Sequence, residues 1–390
     1  IVGWGTTYYM PSVLAPALSR DLGLDPTGIY LGITIMVAIG GLASPIAGRL
    51  LDAHGAARFM PVAPLAIGLG HVLVATFPSA SIWWTAWVLH GLAMPFGLTL
   101  AVTTFLTRAS GAAARRTIGI LTLLVGFSPS LFWPLTALLE GWLGWRGTLY
   151  AYAGAELGLL LPLQLWIAAG WSDRRPVEVG AATDGTPPPS LPPRFTPRAR
   201  TIAIVALVVM ATAQGFSAWG LPLHLIALFQ DMGLAQAQAV TIAAASGAAT
   251  IAARLIEVGL GHRLRPLTTT VVAVAVLTPS LVLLAAPVDL TLAAWVFIVV
   301  WSGANGILTV LRMTLPLTLF GAAAYGTLVG RMSLPQNLAF AAAPAIFAVV
   351  IDRRGTTGAL ELAIAASLVA LAAALVLARV GRGDAATEPH

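Results

Sequence analysis

The ionisable side chains inside long apolar stretches of this 390-residue chain are few: His71, His90, Glu156, His224, Arg312 and Arg331. A charge at the centre of a bilayer costs about 3 kcal/mol or more, so such residues are functional candidates by default. Two kinds of chemistry are available to them. Histidine changes protonation near neutral pH, and a carboxylate buried without a partner takes up a proton. His90, His224 and Glu156 are therefore candidates for proton coupling, with interhelical hydrogen bonding as the alternative; His71 reads as structural. A guanidinium instead binds an anionic group through paired hydrogen bonds. Arg331 and Arg312 are candidates for substrate contact, against the alternatives of snorkelling to a surface or pairing with an acidic gate residue. His90 could also hydrogen-bond a substrate. Amides and aromatics complete the candidate binding set: Asn305, Gln336, Asn337, Gln214, Tyr8, Trp4 and Trp301. Amides in a membrane seek partners, and interhelical bonds would satisfy them as well as a ligand would. There is no cysteine, and no helix carries a paired-carboxylate, zinc-type or serine-histidine arrangement. No enzyme activity, metal or cofactor is expected, and no nucleotide-binding motif is present.

The elements that must position these residues follow from composition. The chain is 58% hydrophobic and 9% charged, whereas soluble proteins carry about 25% charged residues, and its mean hydropathy is +0.88. A water-soluble protein is excluded. Apolar stretches long enough to span a bilayer fall at about 1–18, 28–51, 59–77, 82–106, 117–139 and 148–169, then at 201–229, 235–255, 267–286, 290–319, 327–351 and 357–378. The expected fold is an all-α membrane protein of twelve transmembrane helices in two six-helix bundles, 1–170 and 201–390. The segment 171–200 joins them; its arginines and its cluster of Pro187, Pro188, Pro189, Pro192 and Pro193 suit a linker. The chain opens on Ile1 with an apolar segment lacking a basic flank, which reads as a first membrane helix with a trimmed N-terminus rather than a signal peptide.

All 21 basic residues are arginine. If the N-terminus is cytoplasmic, the linker arginines and Arg49, Arg58, Arg108, Arg115, Arg116, Arg254, Arg263, Arg265, Arg379 and Arg382 share that side. Only Arg20, Arg146, Arg353 and Arg354 face the other. This bias follows the positive-inside rule and puts both ends in the cytoplasm. It also accounts for the formal charge of +6 through anionic lipid headgroups rather than nucleic acid.

The halves echo each other. Ala47-Gly48-Arg49-Leu50-Leu51-Asp52 corresponds to Ala252-Ala253-Arg254-Leu255-Ile256-Glu257, and Ala86-Trp87-Val88-Leu89 to Ala294-Trp295-Val296-Phe297. Parallel duplications of this kind place the substrate site near the bilayer midplane where the halves meet. With Gly48, Leu50, Asp52, Gly55 and Arg58 after the second helix, the chain resembles a major facilitator superfamily transporter over essentially its whole length. It departs from the superfamily pattern at Ala53 and Ala56, where basic residues are usual. Gly3-Trp4-Gly5 and Gly144-Trp145-Arg146 resemble bacterial relatives of the monocarboxylate porters, although the eighth helix offers Ser246 and Thr250 where those porters often place an arginine. The resemblance implies a monomeric secondary transporter in the bacterial inner membrane, working by alternating access. Arg49 with Asp52 and Arg254 with Glu257 would be its gate elements, or simple loop braces. The expected substrate is a small organic anion such as a monocarboxylate, moved by proton symport or by facilitated diffusion. The alternatives are an exporter of a neutral or amphipathic compound and a receptor or scaffold that does not transport.

Overall fold

The computed structural model describes residues 1–98, 100–110, 114–171, 196–260, 265–320 and 325–383, and every regular element among them is helical. Among the described residues, nine helical stretches are long and apolar enough to cross a membrane. Two of them, Ser128–Gly170 and Pro335–Val380, are about twice the length one crossing needs. Each is broken by a glycine in a conformation that side chains rarely adopt, Gly144 (φ 68°, ψ 175°) and Gly355 (φ 64°, ψ −164°). The chain reverses at these points, so each stretch is two passes. The first pass is assembled from Val2–Trp4, a π-helix over Gly5–Tyr9, and Pro11–Leu22, no piece of which spans a bilayer alone. With it, the described helices accommodate the twelve passes that the hydropathy pattern predicts.

Helix ends are set by local chemistry. The first helix runs to Leu22, beyond the expected 18, and closes on Gly23 in the left-handed region. The second, Pro26–His54, starts from Asp25, whose carboxylate accepts from the Gly28 amide at 2.7 Å. The seventh, Pro197–Asp231, begins four residues before the expected 201. Thr196 accepts from the Ala199 amide there, and Pro197 occupies the first helical position.

The chain divides into two compact units, Ile1–Asp184 and Gly185–His390. In the first unit the helices approach closely where glycine faces a large side chain: Gly32 lies under Trp87, Gly68 under Leu157 and Gly70 under His90. The turn at Gly144 is braced on the end of the first helix. The Trp145 indole donates to Asp21 at 3.0 Å, and Arg146 pairs with the same carboxylate at 3.2 Å while lying over the Trp145 ring. The second unit repeats the brace with other residues, the Thr356 hydroxyl donating to Asp231 at 2.6 Å beside the turn at Gly355. The two aspartates open a repeat that the sequence reading did not pick out, Asp21-Leu22-Gly23-Leu24 and Asp231-Met232-Gly233-Leu234, whose glycines both have positive φ.

Candidate functional site

The first unit gathers its buried ionisable groups into one cluster. Glu156 sits in a π-helical stretch of the sixth helix, Ala155–Leu160, and is 1% exposed. Its carboxylate accepts from the Thr6 hydroxyl at 2.9 Å. Thr6 lies in the other π-helix among the described residues, Gly5–Tyr9. Such bulges recur at functional sites, and here two of them meet across a hydrogen bond. The Thr6 hydroxyl has one hydrogen to give, yet the Val2 carbonyl, at 3.1 Å, also lies within its reach.

The Thr6 carbonyl continues the chain of contacts. It stands 3.0 Å from His71 Nε2 on the third helix, so that nitrogen carries the hydrogen. The His71 ring lies 5.1 Å from that of His90 on the fourth helix, and Trp87 meets His90 edge-on at 5.3 Å. His90 Nε2 fills the space that a Cβ on residue 70 would take, so Gly70 lets the ring approach the third helix. Its ring nitrogens make no well-formed hydrogen bond among the described residues; the Ile67 backbone faces them. The first, third, fourth and sixth helices thus converge on four polar side chains.

The second unit organises a different chemistry. Arg312 lies at the end of the apolar stretch Leu290–Arg312 on the tenth helix. Its Nε is buried without a hydrogen-bond partner, and the guanidinium has no ion pair, both among the described residues. The guanidinium lies over the Phe340 ring at 5.2 Å, and Phe340 stacks on Trp219 at 5.5 Å with an interplanar angle of 5°. Gly215, one turn before Trp219, makes room for the same ring. Phe340 thus becomes a platform between the seventh and tenth helices that holds the cation. Gln214 of the seventh helix donates to the Asn305 side-chain carbonyl oxygen of the tenth at 2.5 Å, and Asn305 donates to the Trp301 carbonyl at 2.7 Å.

The remaining candidates are placed as follows. Tyr8 is buried, edge-on to Trp4 at 5.6 Å. Trp301 is buried, and its indole nitrogen meets no hydrogen-bond partner among the described residues. Gln336 is buried and Asn337 exposed on the eleventh helix, where Arg331 also lies, its side chain outside the described residues. His224 Nε2 reaches the Pro344 carbonyl at 3.0 Å, tying the seventh helix to the eleventh. Of the gate candidates, Arg49 donates to the Pro45 carbonyl of its own helix at 3.3 Å, and the Asp52 side chain is outside the described residues. Arg254 donates to the Gly306 carbonyl at 3.1 Å, and Glu257 is partly exposed. Among the described residues no group of three histidine, aspartate or glutamate side chains converges as a metal site.

Two residues of these clusters, Thr6 and Phe340, were not picked out from sequence. Thr6 is an ordinary helix residue by periodicity, and only the π-helical register turns it to Glu156. His71, read from sequence as structural, donates to the Thr6 carbonyl and sets its ring beside that of His90. Phe340 looks like any apolar residue of the eleventh helix; the available signal is Gly215 and Trp219, four apart on one face of the seventh.

Comparison with known proteins adds the following. The profile of the Major Facilitator Superfamily matches residues 1–344. A crystal structure of a mutant of the peptide transporter POT superposes with a TM-score of 0.74, covering 98% of this chain and 93% of that one at 14% identity, a likeness of fold alone. An uncharacterised 38 kDa protein in the 23S RNA operon of Thermoproteus tenax is 26% identical over 163 residues. That match covers 41% of this chain and 42% of the relative, so the chain spans less than half the length of that relative.

Proposed function

Because this chain belongs to the Major Facilitator Superfamily, we propose that it is a secondary transporter of a small organic anion of the monocarboxylate kind, driven by a proton gradient. Arg312 is the observation that carries the substrate class. An arginine buried at Nε, lying at the end of a membrane-spanning stretch and lacking a carboxylate partner among the described residues, needs an anion to offset the cost of its position. The Phe340 ring, itself stacked on Trp219, lies against the guanidinium, and a guanidinium's paired donors suit a carboxylate. Asn305 and Gln214 supply amides in the same unit. Arg331, Gln336 and Asn337, with Trp301 of the tenth helix and Trp4 and Tyr8 of the first, remain proposed substrate contacts.

Proton coupling rests on hydrogen-bond accounting in the first unit. The one hydrogen on Thr6 serves either Val2 or Glu156; a proton on the Glu156 carboxyl satisfies both contacts, and its departure leaves one of them short. Glu156 is the proposed proton carrier, with His71 and His90 lying beyond Thr6. His224, whose Nε2 bonds the Pro344 carbonyl, is the further proposed proton-coupling residue in the second unit. The arginine bias supports a cytoplasmic membrane with both ends on the cytoplasmic side, Arg49, Asp52, Arg254 and Glu257 as gate elements there, and a monomer working by alternating access.

The test is uptake of labelled lactate by proteoliposomes, comparing the parent with Arg312→Gln. Saturable uptake above that of empty liposomes, lost in the variant, is expected. Uptake indistinguishable from empty liposomes removes the monocarboxylate assignment, and uptake indifferent to Arg312→Gln removes the residue's role. Either result redirects attention to export of a neutral or amphipathic compound.

A further inference from the structure

The seventh and twelfth helices leave a groove between them on the surface of the second unit, about 490 Å³ in volume. Its floor is Ala206 and Ala373; its walls are Val205, Val209, Val369 and Val376, all four at least 39% exposed. The small floor residues create the depression and the valines give it sides. The two helices run antiparallel: Asp231 at the end of the seventh bonds Thr356 at the start of the twelfth, so Thr201 and Val376 lie toward the same end of the groove. From Thr201 to Val209 the groove extends about 12 Å along the helix at 1.5 Å per residue, most of the roughly 15 Å of hydrocarbon in one leaflet.

One turn beyond the same end of the groove stand two arginines. Arg198 is four residues before Ile202 and seven before Val205, so it continues the stripe that lines the groove. Arg379 is three residues after Val376 and seven after Ala372, and continues the stripe on the other wall. Both are exposed, and neither has an ion-pair partner among the described residues. An apolar slot about one leaflet deep, lying within two membrane-spanning stretches and headed by two uncompensated guanidiniums, matches one kind of molecule in both its parts.

We propose that this groove is a binding site for one anionic glycerophospholipid, an acyl chain lying between the seventh and twelfth helices and the headgroup phosphate held by Arg198 and Arg379. Guanidinium and phosphate match in geometry and charge, and basic positions where membrane helices reach the headgroups select anionic lipids. The site is independent of the transport reading and makes no use of Arg312 or Glu156.

Native mass spectrometry of the purified full chain in detergent, given an equal mixture of dioleoyl phosphatidylglycerol and dioleoyl phosphatidylcholine, tests it. The parent should retain phosphatidylglycerol in preference by about tenfold or more, at roughly fivefold per arginine near an anionic headgroup. Arg198→Gln with Arg379→Gln should bring the ratio to about one. Val205→Trp, which fills the groove and keeps both charges, should lower retention of the lipid. Because the arginines are exposed and unpaired, the double variant should stay monodisperse. If it does not, the parent's ratio measured at rising salt serves instead, and should fall steeply. Glycerol phosphate, a headgroup without a chain, should not compete. Equal retention of the two lipids by the parent, a ratio unchanged in the double variant or with salt, or displacement by glycerol phosphate would each overturn the site.

Discussion

The two halves share a scaffold and differ in what they bury. Both brace a glycine turn between their fifth and sixth helices against an aspartate at the end of their first, Asp21 in one and Asp231 in the other. In the interior the likeness narrows to one buried histidine in each half that bonds a backbone carbonyl, His71 that of Thr6 and His224 that of Pro344. The first half buries a carboxylate and two histidines around Thr6; the second holds an arginine on an aromatic platform beside an amide pair. Among the described residues, no guanidinium joins the first cluster and no carboxylate the second. The two frames are alike, and the buried ionisable groups, which a membrane makes costly, are where they differ. On the proposed function, Glu156 of one half carries the proton and Arg312 of the other meets the anion.

The largest effect should come from the second half. Replacing Arg312 with Gln removes the proposed anion partner, and truncating a buried charge pair costs about 2–5 kcal/mol. Lactate uptake at low concentration should fall by roughly 30-fold or more, measured as initial rate in proteoliposomes. Equal loss from the neighbouring amide change Asn305→Ala would blur the distinction that the guanidinium carries. Next in size, Glu156→Gln should abolish stimulation by an inward proton gradient while leaving the protein folded, as read by size-exclusion profile and the gradient-free rate.

Two matched glycine substitutions sharpen the comparison. A Cβ on residue 70 would occupy the place of His90 Nε2, and one on residue 215 would strike the Phe340 ring. Overpacking costs about 1–3 kcal/mol, so both Gly70→Ala and Gly215→Ala should lower the melting temperature by several degrees. Their functional signatures should differ: Gly70→Ala should reduce the response to the gradient, and Gly215→Ala should raise the half-saturation concentration for the anion. Identical signatures would argue against a division between the halves. The smallest effect belongs to the braces, where partly exposed ion pairs contribute about 0–1 kcal/mol. Asp21→Asn should shift the melting temperature by only a few degrees and leave uptake kinetics unchanged.

The frame was legible because membrane crossing imposes a length and an apolar composition on each helix, and every pass announces itself. What escaped has physical reasons. Gly144 and Gly355 turn the chain within a residue through backbone angles that hydropathy does not report, so the hydropathy pattern gives the passes but not the sharpness of the turns. The Asp-x-Gly-Leu repeat was available in the sequence at residues 21–24 and 231–234 and outweighs the weaker echoes as a sign of duplication. Gly144-Trp145-Arg146, which carries the subfamily resemblance, also forms the brace on Asp21.

Arg312, His90 and Glu156 stood out because ionisable groups are rare in apolar stretches. Their companions did not. Thr6 is turned by a π-helical register, and Phe340 earns its place through Gly215 and Trp219 on another helix. Contacts between helices far apart in sequence leave no trace in local periodicity.

The division between the halves is tested most directly by measuring, in the same proteoliposomes, lactate counterflow without a gradient and net uptake with an inward proton gradient, for the parent, Glu156→Gln and Arg312→Gln. Counterflow needs the anion site alone, whereas gradient-driven uptake needs both. Glu156→Gln is predicted to keep counterflow and lose the gradient response, and Arg312→Gln to lose both. Loss of counterflow in Glu156→Gln to the same extent as in Arg312→Gln, or a gradient response that survives in Glu156→Gln, would contradict the account.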